Sequence, residues 1–200
     1  MDNEVVTRPV GAADVADLSS LFAGARSTRH CWCMAFCTTR TQFAAGWLLG
    51  GNARRFAALA DAGPVPMGVL ASVAGTPVGW AACGPRSRYV AAIDPSNLLL
   101  AGREPAEDET VWLLPCLFVR ADSRGRGLTA TLVEAAVRLA HEHGAPALEG
   151  WPLADSVGRS ADAFVGRERV FTDLGFRRVA SPRPDRVVVR LELSGRPVGP

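Results

Sequence analysis

Apolar positions along the 200-residue chain change period several times, and each change marks an element. Val5 to Val10 predicts an opening strand. Behind Asp14, residues Val15, Leu18, Leu21 and Phe22 recur at helical spacing and predict a helix. A second helical region carries Phe43, Trp47 and Leu48, breaks at Gly50-Gly51, and resumes with Phe56 and Leu59. The break is expected because a glycine pair disfavours continuous helix. Met67 to Ala74 and Pro77 to Cys83 predict a hairpin turning at Gly75-Thr76. Residues 85–110 then read as an irregular insert, rich in acid at Glu104, Glu107, Asp108 and Glu109.

Val111 to Val119 is almost wholly apolar, as suits a central strand covered on both faces. Pro115 lacks an N–H for the ladder, so its place inside that strand predicts a bulge. The next helix has the clearest pattern. Leu128, Leu132, Ala136 and Leu139 form a stripe, Val133, Val137 and Ala140 widen it, and Gly144 with Pro146 ends it. Ala147 to Trp151 predicts a strand. Val170, Phe171 and Leu174 predict a short helix stopped by Gly175, with Phe176 placed for an apolar contact beyond the cap. Val187, Val189, Leu191 and Leu193 alternate with Val188, Arg190 and Glu192, predicting a strand with one buried face. The expected order is strand, two helices, three strands, helix, strand, helix, two strands. With neither repeat nor linker, this makes one α/β domain over residues 1–200.

Composition narrows the function. A hydrophobic share of 48% with 21% charged residues is that of a globular protein, which excludes wholesale disorder. A net charge of +2 exerts no global pull on nucleic acid or membrane, so any anion site must be local. Met1 to Glu4 has no signal-peptide character, and no apolar run approaches the ~20 residues of a spanning helix. Five cysteines, three of them between Cys31 and Cys37, do not read as a secreted disulfide framework, and a reducing cytoplasm is expected.

The chemistry concentrates where Leu117-Phe118-Val119 runs through Arg120-Ala121-Asp122-Ser123 into Arg124-Gly125-Arg126-Gly127-Leu128-Thr129. A buried strand enters a Gly/Arg loop that opens directly into an amphipathic helix. First-turn amides of such a helix lack partners and its dipole favours an anion there. Gly125 and Gly127 let a phosphate approach the backbone, and Arg124 and Arg126 can add charged hydrogen bonds. No Gly-Lys-Ser/Thr follows, as a nucleoside triphosphatase loop requires. A dinucleotide fingerprint needs a third glycine and an earlier place in the chain.

The Arg124-to-Thr129 segment resembles the Arg/Gln-x-x-Gly-x-Gly/Ala signature of the GNAT acetyltransferases, with Thr129 in place of the usual small last residue. Val170-Phe171-Thr172-Asp173-Leu174-Gly175-Phe176 resembles that family's terminal helix and its Gly-Phe exit. The likeness spans Val5 to about Leu193. It implies the GNAT fold, a mixed and mostly antiparallel sheet with helices on both faces, and N-acetyl transfer from acetyl-CoA as cosubstrate. It further implies that Leu117, Phe118 and Val119 pair with the pantetheine arm and that amides from Arg124 to Thr129 hold the pyrophosphate. Splaying of the strand at Pro115 would open a slot for the thioester, with an oxyanion donor near Cys116 or Leu117.

Two family features are missing. Phe171 stands where the family often has a proton-donating tyrosine, and the only tyrosine, Tyr89, lies in the insert. No carboxylate occurs in Val111 to Val119, so Glu149 on the neighbouring strand is the candidate base, with Glu109 behind it. The competing reading of Glu149 is an outward-facing strand residue. Cys116 is a candidate acyl acceptor, against the plainer role of apolar filler. His141 and His143 are expected to satisfy carbonyls at a helix end. His30-Cys31-Trp32-Cys33-Met34-Ala35-Phe36-Cys37 lacks the second ligand pair of a zinc site, so no metal is expected, and the segment should line or pack beneath the acceptor pocket. The acceptor itself, a small-molecule or peptide amine, stays open, and a homodimer is compatible with the sequence. The alternative is a catalytically impaired acyl-CoA-binding or sensory module.

Overall fold

The computed structural model describes residues 4–156 and 164–193; the remainder of the expected 1–200 domain lies outside them. Seven strands form one sheet in the order β1-β2-β3-β4-β5-β7-β6. β1 (Val5–Pro9) pairs antiparallel with β2 (Gly68–Val73). Between them run α1 (Val15–Ala23), α2 (Arg26–Arg29), α3 (Met34–Cys37), α4 (Arg40–Leu48) and α5 (Gly51–Ala62). Two predicted helical regions are thus five helices, two of them a single turn. Periodicity cannot register pieces so short, but the break at Gly50, with φ +66°, falls where the glycine pair placed it.

β2 and β3 (Thr76–Pro85) form the hairpin. Ala74 (φ +46°) and Gly75 (φ +75°) occupy the turn, one residue earlier than expected. β4 (Trp112–Val119) pairs antiparallel with β3, then parallel with β5 (Ala147–Gly150). The chain from β4 to β5 passes through α6 (Leu128–Glu142). Leu128, Leu132, Val133 and Leu139 of α6 are buried against the sheet, a burial contributing roughly 1.5–3 kcal/mol per side chain. α7 (Glu168–Asp173) leads through Gly175 into β6 (Arg177–Arg183) and β7 (Arg186–Glu192). Phe176 N–H closes on the Phe171 carbonyl at 3.1 Å while the two rings meet edge to face, the apolar contact that the sequence predicts.

Side chains alternate across the sheet, so β4 sends Leu114 and Leu117 towards α6 and Leu113, Cys116 and Phe118 towards α1–α5 and the insert. Helices cover both faces. β7 departs from the expectation of one buried face, because Val187, Val188 and Val189 are all buried. It is an interior strand between β5 and β6, and the insert covers its second face.

Candidate active site

The loop between β4 and α6 is a 3₁₀ turn at 121–123, an extended Arg124, and two left-handed glycines, Gly125 (φ +78°) and Gly127 (φ +77°). A Cβ at either glycine would meet nothing within 4 Å. The conformation, not crowding, therefore demands glycine, and the space before the loop is open. Gly127 caps α6 with no side-chain hydrogen bond. Among the described residues no carbonyl accepts the amides from Gly125 to Thr129; Thr131 is the first in the helix with a recorded partner, the carbonyl of Gly127. Arg124 Nε is drawn back to the Val119 carbonyl at 3.2 Å, whereas Arg126 is exposed. An uncapped helix start with a row of free donors is a site for a polyanionic group.

Upstream, the bulge is present. Ala82 faces Cys116 and Gly84 faces Leu113, so Cys83 alone opposes Leu114 and Pro115. β4 and β5 stay paired only from Trp112↔Leu148 to Leu114↔Gly150, then separate. Trp151 Nε1 donates to the Pro115 carbonyl at 2.9 Å across the start of that gap, satisfying an oxygen the bulge frees. Beyond it, the Leu117 amide donates to the Phe164 carbonyl at 2.6 Å. Gly166, with φ +72°, sits so close that a Cβ there would lie 3.1 Å from both Leu117 Cδ1 and Phe171 Cε2. Residues 164–166 thus lie along the splayed end of β4, and the Leu117 amide, expected to be open for a ligand, already has a partner. Phe164 carried no sequence signal, because its role depends on a contact 47 positions away along the chain.

On the other face, Cys116 and Phe118 meet α1 and the Cys31–Phe36 segment around a cavity of about 110 Å³. Phe22, Trp32, Trp80 and Phe164 bring aromatic rings to its wall. Trp32 (φ +52°) and Cys33 (φ +55°) are both left-handed, a costly conformation for residues with side chains that turns them towards the sheet. Asn52 Nδ2, buried, anchors the segment through the His30 carbonyl at 2.8 Å. Of residues 30–37, Cys31, Trp32, Cys33, Ala35 and Phe36 line this cavity.

Burial pushes the Cys31, Cys37 and Cys83 thiols up to about 12. Cys116 is raised well above the usual thiol value, chiefly by its hydrogen bond with Cys33 and then by burial. A thiol held protonated is a poor acyl acceptor, which leaves Cys116 as pocket lining. Among the described residues no group of three or more His, Cys, Asp or Glu is placed to hold a metal.

Glu149 is buried and neither outward-facing nor open to the gap. It faces Leu113 and Arg190 in register, and its carboxylate takes Arg86 Nη1 and Arg190 Nη1, each at 3.1 Å. Arg86, fully buried, also meets Asp108 at 3.1 Å and Glu107 at 3.4 Å. Asp108 and Glu107 of the acidic insert thus fold back over a buried guanidinium, while Glu104 and Glu109 stay exposed. Two guanidiniums hold this carboxylate, so the structure gives Glu149 the part of an anchor. Arg86 was missed because one arginine before an acidic stretch looks like surface charge. Glu109 accepts from Ser87 at an exposed position. Phe171 is buried against Gly150 and offers no proton. Tyr89 is buried, its hydroxyl has no partner among the described residues, and burial raises it well above 10. The His143 ring stacks on Trp112 at 5.6 Å, while its backbone N–H donates to the Leu139 carbonyl at 3.2 Å at the end of α6.

Residues 32–165, well over half of the chain, match the acetyltransferase (GNAT) family. The protein belongs to that family. Comparison with curated proteins finds no match. Among solved structures, an acetyltransferase from Thermus thermophilus is similar at 20% identity and TM-score 0.56, covering 96% of this chain and all of that one. A Drosophila melanogaster polyamine N-acetyltransferase is similar at 15% identity and TM-score 0.55, covering 95% of this chain and 100% of its own. The structure of yncA from Salmonella typhimurium with its cofactor acetyl-CoA is similar at 17% identity and TM-score 0.53, covering 97% and 96%. At these identities the likeness establishes the GNAT fold. No helix among the described residues is long and apolar enough to cross a membrane.

Proposed function

We propose that this GNAT-family protein transfers an acetyl group from acetyl-CoA to a primary amine by direct attack of the amine on the thioester. The observation that carries the reading is the row of amides from Gly125 to Thr129, without a carbonyl partner among the described residues, at the start of α6. Those amides, with Arg126, would hold the pyrophosphate. Thr129 beside Gly166 and the backbone of Leu117 to Val119 would line the path of the pantetheine arm.

The chemistry asks three things of the chain. It must orient the amine, polarise the carbonyl and let a proton reach the departing thiolate. Leu117 N–H, turned into the gap by the Pro115 bulge, would serve as the carbonyl donor once it leaves Phe164. The amine nitrogen would approach from the Cys116 side, forming the C–N bond as the C–S bond breaks. Its surplus proton would pass to water, because no carboxylate among the described residues lines the cavity. Phe171 has no hydroxyl, so the thiolate too would be protonated by water.

Free-thiol release on mixing the protein with acetyl-CoA and a panel of amines tests the reading; turnover is expected with at least one amine. The second reading, coenzyme binding without transfer, draws support from the commitment of Glu149 to two arginines and the lack of a tyrosine in α7. Firm coenzyme binding with no thiol release from any amine would select it.

A further inference from the structure

The cavity beside Cys116 is built for a group with no hydrogen-bonding atoms. The hydroxyl and indole donors in its wall already have partners. Thr28 Oγ1 donates to the Phe22 carbonyl at 3.0 Å, and Trp32 Nε1 donates to the Arg29 carbonyl at 3.2 Å. Trp80 Nε1 turns to Cys33 Sγ at 3.3 Å. What the described residues present to the space is aromatic ring, thiol and methyl, with no carboxylate for a polyamine and no free donor for a sugar hydroxyl or a peptide backbone. A polar atom sent in would lose its water and gain nothing, at a cost of roughly ten-fold or more in affinity.

Size narrows the occupant. An engineered apolar cavity of about 150 Å³ takes one benzene, so 110 Å³ holds roughly one small ring or a branched chain. The cavity adjoins the reacting position through Cys116, the residue just past the bulge, and lies on the sheet face away from α6. A group entering from the amine side therefore fits it better than the acyl tail of a coenzyme held by α6. We infer that the accepted amine carries a compact, uncharged aryl or branched-alkyl side chain, which this cavity takes while the amino group waits beside Cys116. The inference deepens the acetyl-transfer reading and rests on it for the amine's role.

The experiment has two arms. In the first, thiol release from acetyl-CoA is compared for 2-phenylethylamine and isopentylamine against spermidine and a peptide with an N-terminal alanine. At least ten-fold higher kcat/KM for the first two is expected. In the second, equilibrium binding of 2-phenylethylamine is measured on the native protein, Ala35→Val and Ala35→Phe, since Ala35 lines the cavity. Graded loss is expected, ten-fold or more for the larger side chain, with coenzyme affinity held within about two-fold. Binding lost in Ala35→Phe without turnover in any protein would uphold the cavity's ligand class and remove the transfer reading. Preference for the polar amines, or aryl binding indifferent to Ala35, would overturn the inference. So would faster turnover of a butyryl thioester that Ala35→Phe abolishes, because the cavity would then hold the acyl group.

Discussion

The amide of Leu117 and the carbonyl of Phe164 are joined by a 2.6 Å hydrogen bond, and the ring of Phe164 stacks on Phe118 at 6.2 Å. The same segment thus caps the donor proposed for the thioester carbonyl and closes one side of the apolar cavity. Coenzyme and Phe164 would compete for Leu117. Removing the ring should loosen the segment: an aromatic pair of this kind is worth about 0.5–1.5 kcal/mol. Phe164→Ala is therefore expected to tighten coenzyme binding several-fold by calorimetry while raising the amine KM. Weaker coenzyme binding would show that Phe164 supports the slot instead of occupying it.

Gly127 starts α6 at φ +77° with open space where a side chain would go. Gly127→Ala keeps the charge and the sterics of the loop but penalises its left-handed backbone by about 1–2 kcal/mol. A five- to thirty-fold loss of coenzyme affinity is expected. Adenosine, which has no phosphate, should bind both proteins alike.

Glu149 as an anchor and Glu149 as a base predict different pH behaviour. Glu149→Gln should lower stability in urea by about 1–3 kcal/mol, because Arg86 and Arg190 lose a charged partner. Arg86→Met, which leaves a buried carboxylate half paired, should cost about 3–5 kcal/mol. The pH profile of kcat/KM in Glu149→Gln should keep its midpoint. A profile that loses its acid limb would restore Glu149 as the base.

The Arg190 guanidinium hydrogen-bonds Glu107 and holds its carboxyl below the ordinary value of 4.5. A group depressed in the folded state stabilises it above the unfolded pKa, and that contribution fades as pH falls through the lower, folded value. Stability attributable to this pair should be constant from neutrality to about pH 4.5 and decline below. Urea midpoints across pH 3–7 would read this, and Arg190→Met should flatten the acid side.

Burial holds Cys31, Cys37 and Cys83 at about 12. At pH 8 these thiols should resist iodoacetamide in the folded protein and react fully in denaturant. Mass spectrometry of the labelled peptides distinguishes the two; rapid native labelling of Cys83 would contradict its burial in the sheet.

Local sequence alone placed β1 to β5 and β7, the α6 stripe, the Gly50 break, the Pro115 bulge and the Gly125/Gly127 loop that opens α6. Each of these follows from period, backbone conformation or a missing donor within a few residues. Tertiary structure alone decided what surrounds them. Glu149 became an anchor because Arg86 and Arg190 arrive from 63 and 41 positions away, the Leu117 amide was taken by Phe164, and the turn and single-turn helix between α2 and α4 brought Cys31 to Phe36 against an apolar space. Charge pairing, desolvation and cavity shape depend on which distant atoms meet, and no pattern of neighbours along the chain encodes that.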